Sequence, residues 1–194
     1  MNVLVLGPQG SGKGTQATRL AEEHQIPHVS TGDMFRALEG SSELGREVKA
    51  IMDRGDLVPD EITIRMIRDR LAKDDAEVGF ILDGFPRNLA QAEALDEMLA
   101  EIGRALDVIF FFDLDDATAT ERALGRAHEE GRTDDTPETI ARRLAVYHEQ
   151  TEPVVEHYRT TGKLVPLHAA RPVDEVQGEI QSALEQVQSM SGRA

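Results

Sequence analysis

The most constraining stretch of the chain is Gly7-Pro8-Gln9-Gly10-Ser11-Gly12-Lys13-Gly14-Thr15, directly after the apolar run Val3-Leu4-Val5-Leu6. A buried strand that breaks into a glycine-rich turn and then opens a helix is built to hold phosphate. The glycines let successive backbone N–H groups point into one concavity. A helix starting near Lys13 adds its unpaired N–H groups and the positive end of its dipole. Lys13 supplies a full charge that can follow β- and γ-phosphates. The spacing fits the Walker A frame with one departure: Gly14 stands where Ser or Thr is usual, and the hydroxyl comes one place later, at Thr15. A surface glycine loop beside a stray lysine would not explain both the strand before it and the helix-compatible run Thr15 to His24 after it. The chain is expected to bind a nucleoside triphosphate.

Charge and composition narrow the partners. With 36 acids against 21 bases the formal charge is −15, which argues against a nucleic-acid-binding face. Seventeen of the bases are arginine and only four lysine. Arginine suits bidentate phosphate recognition, so its placement within motifs is the useful question. No cysteine is present, excluding disulfides and thiolate metal sites. No apolar run is long enough for a bilayer, and no signal-type segment opens the chain. At 194 residues one domain is expected, in a cytoplasmic monomer with no membrane or nucleic-acid partner.

Apolar runs at Asn2–Leu6, Phe80–Leu82, Val108–Phe112 and Leu164–Leu167 read as short buried strands. Helix-like patterns lie between them. Ala92, Leu95, Leu99 and Ile102 share one face, as do Val173, Val176, Ile180, Leu184 and Val187. Thr136-Pro137 is a helix start, a capping hydroxyl with proline at the first helical position, leading into Ile140, Leu144 and Tyr147. Strands alternating with helices imply an α/β fold, a parallel sheet covered on both faces. Ligands then collect beyond the carboxyl ends of the strands, so the loop after Leu6 and the segment after Leu82 should share a crevice. Two stretches fall outside the alternation, residues 30–59, polar and glycine-punctuated, and Gly125 to Asp135, rich in charge. Both read as covers over the crevice.

Asp83-Gly84-Phe85-Pro86-Arg87 follows the strand Phe80-Ile81-Leu82. An acid at a strand end facing a phosphate loop is where nucleotide-bound Mg²⁺ can be held through its waters. Alone, this is a turn signal. Together with the phosphate loop, Ser30-Thr31-Gly32-Asp33-Met34-Phe35-Arg36, Gly55-Asp56-Leu57-Val58-Pro59, Gln91, Gly131-Arg132-Thr133-Asp134-Asp135 and Arg143, it closely resembles the adenylate kinases, within the nucleoside monophosphate kinases of the P-loop NTPase fold. The resemblance covers essentially the whole chain.

That resemblance implies a division of labour. Gly10, Ser11, Gly12, Lys13, Gly14 and Thr15 would hold the ATP phosphates. Arg122 and Arg126 would flank ATP at the lid's edge, and Arg171 would sit beside its adenine. Thr31, Arg36, Asp56, Leu57, Val58, Gly84, Phe85, Pro86, Arg87 and Gln91 would hold AMP. Arg132 and Arg143 would grip the phosphates when the lid closes, with Asp134 and Asp135 as the lid's acidic pair. Lys13, Arg87, Arg122, Arg132 and Arg143 would carry catalysis, with Mg²⁺ near Asp83. The core would comprise residues 1–29, 60–124 and 136–194, with an AMP-binding insertion at 30–59 and a short lid at 125–135. Without cysteine the lid cannot carry the zinc site of some relatives. Gln9 replaces the loop proline usual in the family, from which altered loop stiffness is expected.

The expected reaction is ATP plus AMP giving two ADP. The acceptor is a phosphate oxygen already ionised near neutral pH, so no general base is required. The difficulty is electrostatic, since two polyanions must meet in line while water is kept out. A UMP or CMP kinase on the same scaffold, and a nucleotide-dependent switch without turnover, are the competing readings.

Overall fold

The computed structural model describes residues 1–38, 40, 42–130 and 135–191. In chain order they form β1 (Asn2–Leu6), α1 (Lys13–His24), β2 (His28–Ser30), α2 (Thr31–Arg36), α3 (Glu43–Asp53), α4 (Asp60–Leu71), β3 (Phe80–Asp83), α5 (Leu89–Glu101), β4 (Val108–Asp113), α6 (Asp116–Glu130), α7 (Pro137–Val146), α8 (Glu152–Arg159), β5 (Leu164–His168) and α9 (Val173–Ser191). One π-helical turn, Tyr147–Thr151, joins α7 to α8.

The five strands pair in the order β2-β3-β1-β4-β5, all parallel. Because β1 lies between β3 and β4, its carboxyl end is the point where the strand order reverses, the crevice position of an open α/β sheet. Strand pleating splits the apolar runs between two faces. Val3, Val5, Ile81, Phe110 and Phe112 face α1, α6, α7 and α9 through Ala17, Leu20, Ala119, Ala123, Ile140, Leu144, Ile180 and Leu184. Leu4, Leu6, Phe80, Leu82 and Ile109 face α4, α5 and α8 through Ile67, Leu71, Leu95, Leu99, Val154 and Tyr158. Fully burying one such aliphatic side chain is worth about 1.5–3 kcal/mol, so helix packing on both faces is a main source of the sheet's stability.

Strand β2 has no counterpart in the sequence reading. Only Val29 of its three residues is buried, too little to make a pattern. It forms because β3 offers a free edge, taken up first by the Ile81 N–H donating to Pro27 O at 2.9 Å. Ser30 at its end then caps α2, its hydroxyl accepting from the Asp33 N–H at 3.3 Å.

Two face assignments are corrected. Ile102 is 55% exposed, because α5 stops at Glu101 and the Arg104 N–H returns to Leu99 O at 2.8 Å. Val173 is 43% exposed at the first residue of α9. The Thr136 cap and Pro137 start of α7 stand as expected, with Thr136 Oγ1 accepting from the Thr139 N–H at 3.2 Å.

Residues 30–59 build a small core of their own. Phe35, Val48 and Val58 are buried against Leu38, Leu44, Ile51 and Met52, with Ile62 and Met66 of α4 completing it. The other expected cover begins as regular helix, since Gly125 to Glu130 continue α6.

Candidate active site at the carboxyl end of β1

The loop after β1 is shaped by glycine where no other residue fits. Gly10 has φ +76°, and a Cβ there would lie 2.4 Å from the Ala119 carbonyl oxygen of α6. Gly12 has φ +85° and no side chain caps α1, so the first-turn N–H groups stay open toward the crevice as an anion seat. Lys13 Nζ folds back to donate to Pro8 O at 2.8 Å. Burial holds its pKa down to about 8, with Arg87 and Arg126 pushing the same way against the pull of Asp83. Thr15 is exposed beside it.

Asp83 ends β3 opposite the loop, and a Cβ on Gly14 would sit 3.7 Å from Asp83 Oδ2. His28 Nε2 lies 3.3 Å from the same oxygen. Burial alone would raise the Asp83 pKa, yet the His28 hydrogen bond and the charges of Lys13, His28 and Arg87 hold it below the ordinary carboxylate value. The carboxylate is therefore ionised at neutral pH. Behind it the chain turns through a cis Phe85–Pro86 bond into Arg87. Arg87 is pinned at its backbone. Its N–H donates to Gln91 Oε1 at 2.8 Å, and its carbonyl accepts from Thr151 Oγ1 at 2.8 Å. Its Nε donates to Gly84 O at 2.8 Å.

Further cations arrive from distant elements. Asp135, its side chain wholly buried, binds Arg126 Nη2 of α6 at 2.6 Å and Arg143 Nη1 of α7. Arg143 Nη2 also donates to Met52 O at 3.1 Å, so α7 touches the end of α3. Burial lowers the Arg87 pKa first, and the charges of Arg143 and Arg36 lower it further. Lys13 thus feels the charges of Arg87 and Arg126, and Arg87 those of Arg143 and Arg36. In a chain of net charge −15, the lining of this crevice of about 940 Å³ carries eight Lys and Arg side chains against four Asp and Glu. Such a cluster is held in place for polyanions.

A family model described as adenylate kinase matches residues 5–163. Curated relatives named adenylate kinase include one from Thermobifida fusca (strain YX), 55% identical over 185 residues, with 95% of this chain and 98% of the relative covered. One from Stenotrophomonas maltophilia (strain K279a) is 49% identical over 185 residues, covering 95% and 99% respectively. One from Bifidobacterium longum (strain NCC 2705) is 48% identical over 186 residues, covering 95% and 100%. The chain belongs to the adenylate kinase family.

As a nucleoside monophosphate kinase of that family it must seat two nucleotides across one phosphate channel, and most expected site residues line one crevice. Gly10 to Thr15, Arg36, Asp56, Leu57, Val58, Asp83, Gly84 to Arg87, Gln91, Arg122, Arg126, Arg143 and Arg171 all do. Thr31 does not. It is 2% exposed, and its hydroxyl donates to Gly84 O at 2.8 Å, so it shapes the turn before Arg87. Arg122 spends its guanidinium on the loop after β5, donating to Ala169 O at 2.6 Å and Ala170 O at 3.0 Å. Arg171 pairs with Glu179 at 2.5 Å. Arg132 and Asp134 lie outside the described residues. Asp33 pairs with Arg36 at 2.6 Å, leaving the helix cap to Ser30.

Several contacts around the site escaped the sequence reading. Gln9 Nε2 donates to Ile140 O at 2.8 Å, tying the loop to α7. Gln16 Nε2 holds Val173 O at 2.7 Å. Arg142, beside Arg143, turns outward to Asp56 Oδ1 at 2.9 Å. Each of these bonds joins residues far apart in the chain, and no local pattern marks them.

Proposed function

We propose that this enzyme transfers the γ-phosphoryl group of ATP, seated on Gly10 to Thr15, to AMP, seated between Arg36, Asp56 to Val58, Gly84 to Arg87 and Gln91, giving two ADP reversibly. The observation that carries this reading is that Lys13, Arg36, Arg87, Arg126 and Arg143, drawn from separate elements, line one crevice at an anion-seating helix start. Residues 30–59 act as the cover over AMP and residues 125–135 as the lid over ATP, the whole working as a cytoplasmic monomer.

The division of roles follows from where each charge is anchored. The loop N–H groups and Lys13 orient the donor phosphates. Arg87, fixed through its backbone by Gln91 and Thr151, meets the acceptor phosphate. Arg126 and Arg143 are held by the buried Asp135 and neutralise charge on the group in transit. Arg122 and Arg171 set the donor-base end. Mg²⁺ fits as a cation arriving with ATP. Asp83 offers one ionised carboxylate beside the loop, and among the described residues no three His, Asp or Glu side chains form a cage for a resident ion. When bound, Mg²⁺ would neutralise phosphate charge and bind Asp83 through water.

The test is ADP formation from ATP with and without AMP, in the wild type and in Arg87→Ala. The reading predicts AMP-dependent ADP in the wild type. In Arg87→Ala it predicts a rate lower by about 10²–10³, with ATP binding retained. Equal turnover in the variant would remove Arg87 from the mechanism, and ATP binding without any AMP-dependent turnover would leave only a switch.

A further inference from the structure

Gln91 is 2% exposed, and both ends of its amide are engaged. Nε2 donates to Asp60 Oδ1 at 2.7 Å, and Oε1 accepts from the Arg87 N–H at 2.8 Å. Asp60 Oδ1 also accepts from Asn88 Nδ2 at 2.9 Å. Asn88 in turn caps α5, its Oδ1 accepting from the Gln91 N–H at 2.9 Å. A primary amide has two N–H donors and two lone pairs, and turning it over exchanges the two ends. Here turning would press its oxygen against a carboxylate, which only accepts, and its NH₂ against a backbone N–H, which only donates. The first clash is the more severe, because a charge-assisted bond is lost as well.

We propose that Asp60 fixes the orientation of the Gln91 amide and thereby makes the acceptor pocket select bases carrying an exocyclic amine beside a ring-nitrogen acceptor over their keto counterparts. This rests on the reading above that Gln91 faces the acceptor base. After its two fixed bonds the amide keeps one donor and one acceptor, in an order it cannot reverse. Adenine presents an N6 donor beside the N1 acceptor. Hypoxanthine presents the reverse, an O6 acceptor beside an N1–H donor, in an otherwise similar outline. A glutamine free to turn would serve both. A glutamine held by Asp60 serves one, and in an adenylate kinase that one is adenine. The same logic ranks cytosine, with its N4 amine and N3 acceptor, above uracil. Asp60 is a positioning residue, since it acts on the base only through Gln91.

The readout is the ratio of kcat/KM for AMP over IMP with ATP as donor, which a loss of general stability would not move. Asp60→Ala should lower that ratio about tenfold or more, the effect of losing one hydrogen bond to a charged group. Asp60→Asn keeps an oxygen in place and should restore most of it. Asn88→Ser keeps the α5 cap but removes the neighbouring bond to Asp60, and should leave the ratio unchanged. Parallel losses for AMP and IMP in Asp60→Ala, with the ratio intact, would overturn the proposal. Gln91→Ala separates the two layers of the argument. If it leaves the ratio at the wild-type value, Gln91 does not read the base and the underlying reading fails. If it collapses the ratio while Asp60→Ala does not, only the role of Asp60 fails. Should Asp60→Ala not fold, the wild type decides alone: CMP must outrank UMP, and UMP equal to or above CMP overturns the orientation lock.

Discussion

Replacing Lys13 by methionine should make the protein without nucleotide more stable while abolishing phosphoryl transfer. Lys13 is held to a pKa of about 8 instead of 10.5, first by burial and then by Arg87 and Arg126. Taken whole, that displacement corresponds to about 3 kcal/mol of destabilisation of the charged folded form. Part of the side chain remains accessible in an open crevice, and the bond to Pro8 O is lost in the variant, so about 1–2 kcal/mol of net stabilisation is expected at pH 7. The pH dependence has a definite sign. Below pH 8 the lysine is protonated in both states and the folded form carries the full cost. Between about 8 and 10.5 the folded form gives up its proton while the unfolded chain keeps it, so wild-type stability rises relative to the variant. Above that window the cost is gone. Urea denaturation of both proteins from pH 6 to 11 measures the difference, in which all shared titrations cancel. A variant less stable than wild type at pH 7, or a difference that does not shrink between pH 8 and 10.5, would refute the reasoning. Bound phosphates remove the cost by restoring a partner to the ammonium, which is how a strained lysine can contribute to ATP affinity.

Three further outcomes follow from the same contacts. Asp135→Ala strips the buried anchor from Arg126 and Arg143; chemical denaturation should show a loss of about 2–4 kcal/mol, below the full cost of breaking a buried pair because both arginines can reach water. Gly10→Ala forces a left-handed residue into the Ala119 carbonyl at 2.4 Å, and calorimetric titration should find ATP binding lost. Gln9→Pro, which installs the residue usual in the family, removes the tie to Ile140; stability should fall by about 0.5–1.5 kcal/mol and KM for ATP should change more than KM for AMP.

The parts legible in sequence were those whose chemistry is local. The phosphate loop is contiguous, and its glycines, lysine and flanking strand are all demanded by one concavity around one anion. The segment Asp83 to Arg87 is likewise a single turn at a strand end. The alternating apolar runs exposed the two-layered core, because pleating sorts Val3 from Leu4 whatever the tertiary context. What stayed hidden depends on partners far along the chain. Strand β2 exists by virtue of the free edge of β3, and Ile102 leaves the core because α5 ends just before it and the chain turns at Gly103. The resemblance marks Asp135 as one of the lid's acidic pair but not its burial between Arg126 and Arg143, and nothing local marks Asp60 as the acceptor for Gln91 and Asn88. Arg142 and Arg143 were indistinguishable by type. Helix geometry leaves Arg142 outside the crevice lining, paired with Asp56 at its rim, and sends Arg143 into it.

The central claim is that cations from the phosphate loop, the β3 turn and α7 converge on one chain of phosphates joining two nucleosides. Titration calorimetry with a dinucleoside pentaphosphate that links two adenosines tests this directly. The account predicts one molecule bound per chain, with affinity reduced by Lys13→Met and by Arg87→Ala alike and with AMP and ATP both displaced. Two molecules per chain, or affinity sensitive to only one of those substitutions, would contradict it.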